Sequence, residues 1–323
     1  MRRMAKRNRL ATLVLVVPVL WAGAQAQETG AEQCGMAVVS RLVGGNQKVC
    51  DSKVVQEMAK RGRAFEQNQL GIASVLAIGP DYSEKDALQW FEQAAQKGYA
   101  PAQVNLGVMY ANGWGTPPNY GAALRWFRAA AEQGFGRAYY NLGILFLQGR
   151  GVKQDNAEAL RWFEKGAAAN DSDAQTNLGY MYDQGLGCSR SLGVALSWYR
   201  KAAEAGNPLG ENNLADLYLR GEGVRRDDAE AFRWFQKAAA QGHTGARIKL
   251  GYMYAEGLGT RKDPETAYAW IVSASLAGDQ RGRALLPKLE AVLDAQRISV
   301  ARQRAHALAS GKGQQLSARA FAQ

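Results

Sequence analysis

The word ALRWF stands at Ala123–Phe127 and again at Ala159–Phe163, starting 36 residues further on. A word repeated at that distance is either a site used twice or a structural part used many times. The neighbouring sequence decides for the part. Tryptophan recurs at Trp90, Trp126, Trp162, Trp198, Trp234 and Trp270, always at an interval of 36. Ala87, Ala123, Ala159, Ala195, Ala231 and Ala267 lie three residues before it, and Phe91, Phe127, Phe163, Tyr199, Phe235 and Ile271 directly after. Upstream, Leu70, Leu106, Leu142, Leu178, Leu214 and Leu250 keep the same interval. Each is followed by glycine, except that Ala215 follows Leu214. Gly79, Gly115, Gly151, Gly187, Gly223 and Gly259 keep it too. Six units without insertion or deletion fill residues 63–278, the signature of a repeat architecture.

Each unit reads as two helices. In residues 99–134, Ala102, Leu106 and Tyr110 share one face of a helix A. Asn112-Gly113-Trp114-Gly115 breaks that helix. A helix B follows over 119–133, with Ala123, Trp126, Phe127 and Ala130 on its buried side, and Gly134 ends it. Small residues at Gly107 and Ala123 allow close helix approach, and the aromatics are expected to fill the gap to the next unit. One such unit cannot bury both its faces, so stability must come from stacking neighbours.

This pattern (Ala-x3-Leu-Gly-x2-Tyr, two loop glycines, then Ala-x2-Trp-Phe-x-Lys-Ala-Ala) closely resembles the Sel-1-like repeat family, a branch of the tetratricopeptide-like helical repeats. Arg137–Asn170, RAYYNLGILFLQGRGVKQDNAEALRWFEKGAAAN, and 208–242, PLGENNLADLYLRGEGVRRDDAEAFRWFQKAAAQG, match it nearly throughout. The resemblance implies an all-α fold: a right-handed α/α superhelical solenoid of six 36-residue helix-turn-helix repeats with N- and C-terminal capping helices. The first unit departs most, with Ser74 in place of the helix-A aromatic and Ala77 in place of the first loop glycine. Beyond Gly278, Ala284–Leu293 and Ile298–Leu308 have helical apolar spacing and resemble the helices that close such arrays. The expected organisation is a signal peptide over 1–26, an N-terminal helical cap over 27–62, repeats over 63–278, and capping helices with a basic tail over 279–323.

The signal peptide is read from a basic start (Arg2, Arg3, Lys6, Arg7, Arg9), an apolar run from Leu10 to Trp21 and the small-residue site Ala24-Gln25-Ala26. The run is too short for a membrane span, which needs roughly 20 residues. The expected product is soluble, without an integral membrane segment, and periplasmic or secreted after cleavage near Ala26. The formal net charge of +11 is concentrated at the ends. The signal segment carries five of these charges, and residues 281–323 carry a net six, which leaves the repeats near zero. That removes the electrostatic case for a nucleic-acid partner. The basic tail is either a solvated helix face or an adhesive surface for anionic envelope or host factors. Of the three cysteines, Cys34 and Cys50 are the expected disulfide in an oxidising compartment, leaving Cys188 in a loop.

The enzyme reading finds little support. The two histidines, His243 and His306, have no nucleophile or metal constellation beside them in sequence, and the common hydrolase, phosphate-loop and zinc motifs are missing. Asp155, Asp227 and Asp263 sit at one repeat position and mark helix starts rather than a carboxylate pair. Cysteine-rich relatives linked to β-lactam binding carry paired cysteines in each repeat, which this chain lacks. A peptidoglycan- or β-lactam-directed enzyme therefore stands as the alternative. No cofactor or metal is expected, and a monomer is the expected state.

What a repeat array offers is surface. In tetratricopeptide-like arrays helix A lines the concave side. The residues expected to face a protein or peptide partner there are Asn105, Tyr140, Asn141, Ile144, Asn177, Tyr180, Asp183, Asn212, Asn213, Asp216, Arg220, Tyr252 and Glu256. Asn105, Asn141, Asn177 and Asn213 form a ladder, with Lys249 at the same position in the last unit. An amide ladder can pair with the main chain of an extended peptide; the alternative is that these amides bond to neighbouring helices. The resemblance implies an exported interaction scaffold, such as an envelope regulator or an immunity protein.

Overall fold

The computed structural model describes residues 62–75 and 83–309. The signal peptide, Cys34 and Cys50, nearly all of the expected N-terminal cap and the last residues of the tail lie outside them. The described residues are helical throughout, with no strand. They divide into two compact units, up to Ala169 and from Asn170 onward.

The first unit holds α1 (Ala64–Val75), α2 (Glu84–Gln96), α3 (Ala100–Asn112), α4 (Tyr120–Glu132), α5 (Gly136–Gln148) and α6 (Asn156–Ala168). The second holds α7 (Ser172–Gln184), α8 (Leu192–Glu204), α9 (Pro208–Arg220), α10 (Asp228–Ala240), α11 (Thr244–Glu256) and α12 (Pro264–Leu276). A 3-10 turn at Arg281–Leu285, α13 (Leu286–Glu290) and α14 (Ala295–Ala309) complete it. From α1 to α6 and from α7 to α12 each helix packs on its sequence neighbours within the unit, the stacked helix-pair architecture of an α-solenoid.

Local chemistry sets the helix ends. Asp155, Asp227 and Asp263 each accept a backbone N–H from the first turn of α6, α10 or α12 and so act as N-caps. Asn119 does the same for α4 and Asn207 for α9. Helices α3, α5, α7, α9 and α11 end on glycine in the left-handed region, as at Gly149 with φ 66°, a conformation that a side chain resists. Inside helix A the glycine has a different task. A Cβ at Gly143 would lie 2.6 Å from the Phe163 ring, so the bare backbone lets the ring lie flat against α5.

That contact shows which aromatic builds the core. Phe91, Phe127, Phe163, Tyr199 and Phe235 are wedged between helices and no more than 2% exposed. The tryptophans are less buried than expected: Trp90, Trp126, Trp162, Trp198 and Trp234 are half-buried, and Trp126, Trp162 and Trp234 pack against the core cluster of the preceding repeat. A lysine one turn on lies over three of the rings: Lys165 at 4.4 Å, Lys201 at 4.1 Å and Lys237 at 3.7 Å from the ring centre. The reason is geometric: successive residues point about 100° apart on a helix, so Trp and Phe cannot both face inward.

Trp270 is the exception, buried to 4% exposure. Here α14 packs against α12 and supplies the cover that a further repeat would give. Ion pairs fix it. Arg297 and Arg304 reach Glu265 at 3.2 and 3.1 Å. Arg302 donates to the Tyr268 hydroxyl, which donates to Glu290. Arg281 pairs with Asp279 at 2.6 Å. Half of the eight basic residues that gave the C-terminal segment its charge are thus matched by acids of the same unit.

Candidate functional site

The expected partner-facing residues fall in different environments. In the first unit, Asn105 departs from the expectation of a surface rung. It is fully buried, and its Nδ2 donates to Asn68 Oδ1 at 3.0 Å, tying α3 to α1. Tyr140, Asn141 and Ile144 are half-buried on α5. The Arg137 guanidinium lies 5.1 Å from the Tyr140 ring centre. Asn141 Nδ2 donates to the Arg137 carbonyl one turn back at 2.9 Å.

The same bond recurs in the second unit, where Asn177 Nδ2 donates to the Asp173 carbonyl at 2.9 Å. In Asn141 and Asn177 one of the two Nδ2 hydrogens is committed to the helix, which leaves the second hydrogen and the oxygen for a partner. Asn212 and Asn213 bond to each other on α9, Asn212 Nδ2 donating at 3.2 Å. Tyr252, 40% exposed, and Glu256 stand on α11.

The second unit brings five expected residues together. Tyr180 and Asp183 of α7 and Asn213, Asp216 and Arg220 of α9 line a cleft of about 260 Å³. Sequence reasoning missed two other residues that line it, Tyr199 of α8 and Lys249 of α11. Each had a signal: Tyr199 is the one hydroxylated residue in the Phe wedge series, and Lys249 is the one cation in the asparagine row. Asn177, Asn212, Tyr252 and Glu256 do not line this cleft.

Its floor and rim differ in polarity. Tyr180 forms a rim, 43% exposed, whereas Asp183 is only 8% exposed. Tyr199 is buried, and burial, then the negative charge of Asp183, push its hydroxyl far above its ordinary pKa. Lys249 Nζ pairs with Asp216 at 2.9 Å, and Arg220 pairs with Glu222 at 3.1 Å. Arg190 Nε donates to the Asp183 carbonyl at 2.7 Å, while its terminal nitrogen stays 3.9 Å from the carboxylate. A larger cavity, about 670 Å³, lies at the loop before α10 and is lined by Tyr218, Val224 and Arg225–Asp228. Its Arg226 and Asp228 form a two-pronged pair at 2.7 and 3.0 Å.

No group of three or more His, Cys, Asp or Glu is placed to hold a metal among the described residues. His243 is an N-cap, its Nδ1 accepting from the Ala246 backbone at 3.1 Å. No helix among the described residues is long and apolar enough to cross a membrane.

Comparison with known proteins agrees with this geometry. The Sel1 repeat matches six times, at residues 67–99, 100–135, 136–171, 172–207, 208–243 and 245–279. The chain belongs to the Sel1 repeat family, whose fold is in general a non-enzymatic scaffold for protein interactions. It is similar to the crystal structure of a Sel1 repeat protein from Oxalobacter formigenes, 32% identical over 67% of this chain and 89% of that one, with a TM-score of 0.64. It is also similar to a protective antigen of uropathogenic Escherichia coli that displays the same fold. That match is 30% identical, covers 82% of this chain and 57% of the antigen, and has a TM-score of 0.62. No curated protein matches the chain.

Proposed function

We propose that the protein is an exported, periplasmic interaction scaffold that holds a protein or peptide partner on its A-helix face. The observation that carries this reading is the cleft between α7, α9 and α11. It joins an exposed aromatic rim to a buried carboxylate and two flanking ion pairs. Exposed tyrosine beside charged groups suits an interface anchor, because the ring supplies area and the polar groups supply direction. Stacking the repeats does not require these residues, since other units have Ile144 or Val108 at the position of Tyr180. The basic start and apolar run of residues 1–26 support export.

The test is a crosslinking capture from the native cell envelope with wild type and a Tyr180→Ala, Asp216→Ala, Arg220→Ala triple variant. The variant should keep wild-type helical content and lose the captured partner. Capture unchanged in the folded variant sends the site elsewhere and refutes the reading.

A further inference from the structure

Two A helices of the first unit are closed on every side. Every residue from Glu66 to Val75 in α1 and from Pro101 to Met109 in α3 is buried. An α-helix turns once in 3.6 residues, so runs of that length leave no side open. Other A helices keep an open side. On α5 Asn141 and Ile144 are half-buried, and on α7 and α11 Tyr180 and Tyr252 are 43% and 40% exposed. At the same repeat positions in α1 and α3, Gln69, Ile72, Asn105 and Val108 are at most 3% exposed.

The described helices do not supply this cover. α1 packs on α2 and touches α3, and α3 packs on α2 and α4. α5 has the corresponding neighbours, α4 and α6, and stays open. Sequence register narrows the source. Gly62 has φ 80°, as has Gly98, which leads from α2 into α3. Val54, Val55 and Ala59 stand 36 residues before Trp90, Phe91 and Ala95. Residues 51–61 thus hold the sequence place of a helix B, whose station is the flank of α1 and not its A-helix face. Residues 76–82 are spent in joining Val75 to Ser83, and the chain after Ala309 belongs to the other unit. With the signal segment removed at export, residues 27–50 are left.

We propose that residues 27–50 lie along the A-helix face of α1 and α3 as a built-in occupant, which closes these two helices to a partner. The occupancy stands on burial alone; its meaning for binding rests on the A-helix face being the partner surface. The segment has the apolar stretches Met36–Val39 and Leu42-Val43 to set against Ile72, Val104 and Val108. Asn68 Nδ2 and both amide atoms of Gln69 are buried with no hydrogen-bond partner among the described residues, so the occupant also covers groups that a main chain can pair with. Its reach is ample: about 3.3 Å per extended residue, against roughly 20 Å across two adjacent helices.

The test uses the mature chain with the photo-crosslinker p-benzoylphenylalanine in place of Met36, Val39 or Val43, one at a time, and maps the crosslinks by mass spectrometry. Intramolecular crosslinks should concentrate on residues 68–75 and 104–112. Val108→Asp sets a carboxylate under the occupant and should lower their yield by at least about tenfold, with helical content kept. Ile144→Asp, on the open face of α5, should leave the yield unchanged. Crosslinks that fall elsewhere from all three positions overturn the proposal, as does a full yield in a folded Val108→Asp protein or an equal loss in Ile144→Asp. If Val108→Asp does not fold, the crosslink map of the otherwise unaltered chain decides alone. Crosslinking is read without a partner, so failure here leaves the scaffold reading standing, and failure of that reading leaves this occupancy intact.

Discussion

Replacing Phe235 by alanine should destabilise the second unit about twice as much as replacing its neighbour Trp234. Phe235 is fully buried in a cluster with Ala215, Ala231, Ala238, Leu250 and Ile271. Truncation removes the ring and leaves a cavity among side chains held by backbone on both sides, a loss of about 3–5 kcal/mol. Trp234 has the larger ring but stands half in solvent. Its losses are roughly 1 kcal/mol of partial burial, about 0.5–1 kcal/mol from the Lys237 ammonium 3.7 Å from its ring centre, and its bond to Glu230 Oε1 at 2.8 Å. Together these come to about 2 kcal/mol.

The measurement is urea unfolding followed by circular dichroism, comparing midpoints at constant m. Because a repeat stack can open locally, hydrogen exchange in α10 and α11 should accompany it. The Phe235 variant should lose protection through both helices, and the Trp234 variant mainly near its own. If Trp234→Ala proves the more damaging, then the tryptophan is the wedge, and the core assignment drawn from exposure is wrong.

The remaining predictions use the same measurement. Gly143→Ala should destabilise by about 1–3 kcal/mol, because the new methyl would lie 2.6 Å from the Phe163 ring. Gly193→Ala in α8, where a Cβ meets nothing within 4 Å, should stabilise by a few tenths to about 1 kcal/mol; equal effects at the two sites would refute the close-approach argument. His243 is held below its ordinary pKa by burial and then by Arg281, so the folded state favours the neutral ring. Its contribution is full above the unfolded value of about 6.5 and is lost as pH falls through it. His243→Asn keeps an N-cap oxygen and should flatten the stability loss between about pH 7.5 and 5.5; an unchanged slope would rule His243 out as its source.

Period and composition reveal most of this fold because stacking forces the same answer in every unit. A residue that meets the identical neighbour one repeat away has little freedom, so Ala123, Leu106 and Phe127 announce themselves by recurrence alone. Recurrence does not say which of two adjacent aromatics is inside. Trp and Phe repeat with equal regularity, and only the rotation of helix B against helix A puts Phe163 under Gly143 and leaves Trp162 on the flank. Recurrence is equally silent on what the asparagine row bonds to: the spacing fixes where the amide starts, and the helix's own carbonyls take one of its two hydrogens in Asn141 and Asn177.

The cleft is where the units stop agreeing, and its parts came from two kinds of departure. Asp216 and Lys249 are changes on the exposed face, visible as broken rungs. Tyr199 is a change in the core series, and in sequence it reads as a conservative swap for phenylalanine. Its meaning depends on Asp183, sixteen residues earlier and in a different helix. With phenylalanine at 199 the Asp183 carboxylate would lose the hydroxyl that lines the cleft with it. Two positions that differ from their repeats in the same place, one on α7 and one on α8, are what a fold under stacking constraints alone has no reason to produce. A site that needs a fixed carboxylate at its floor does.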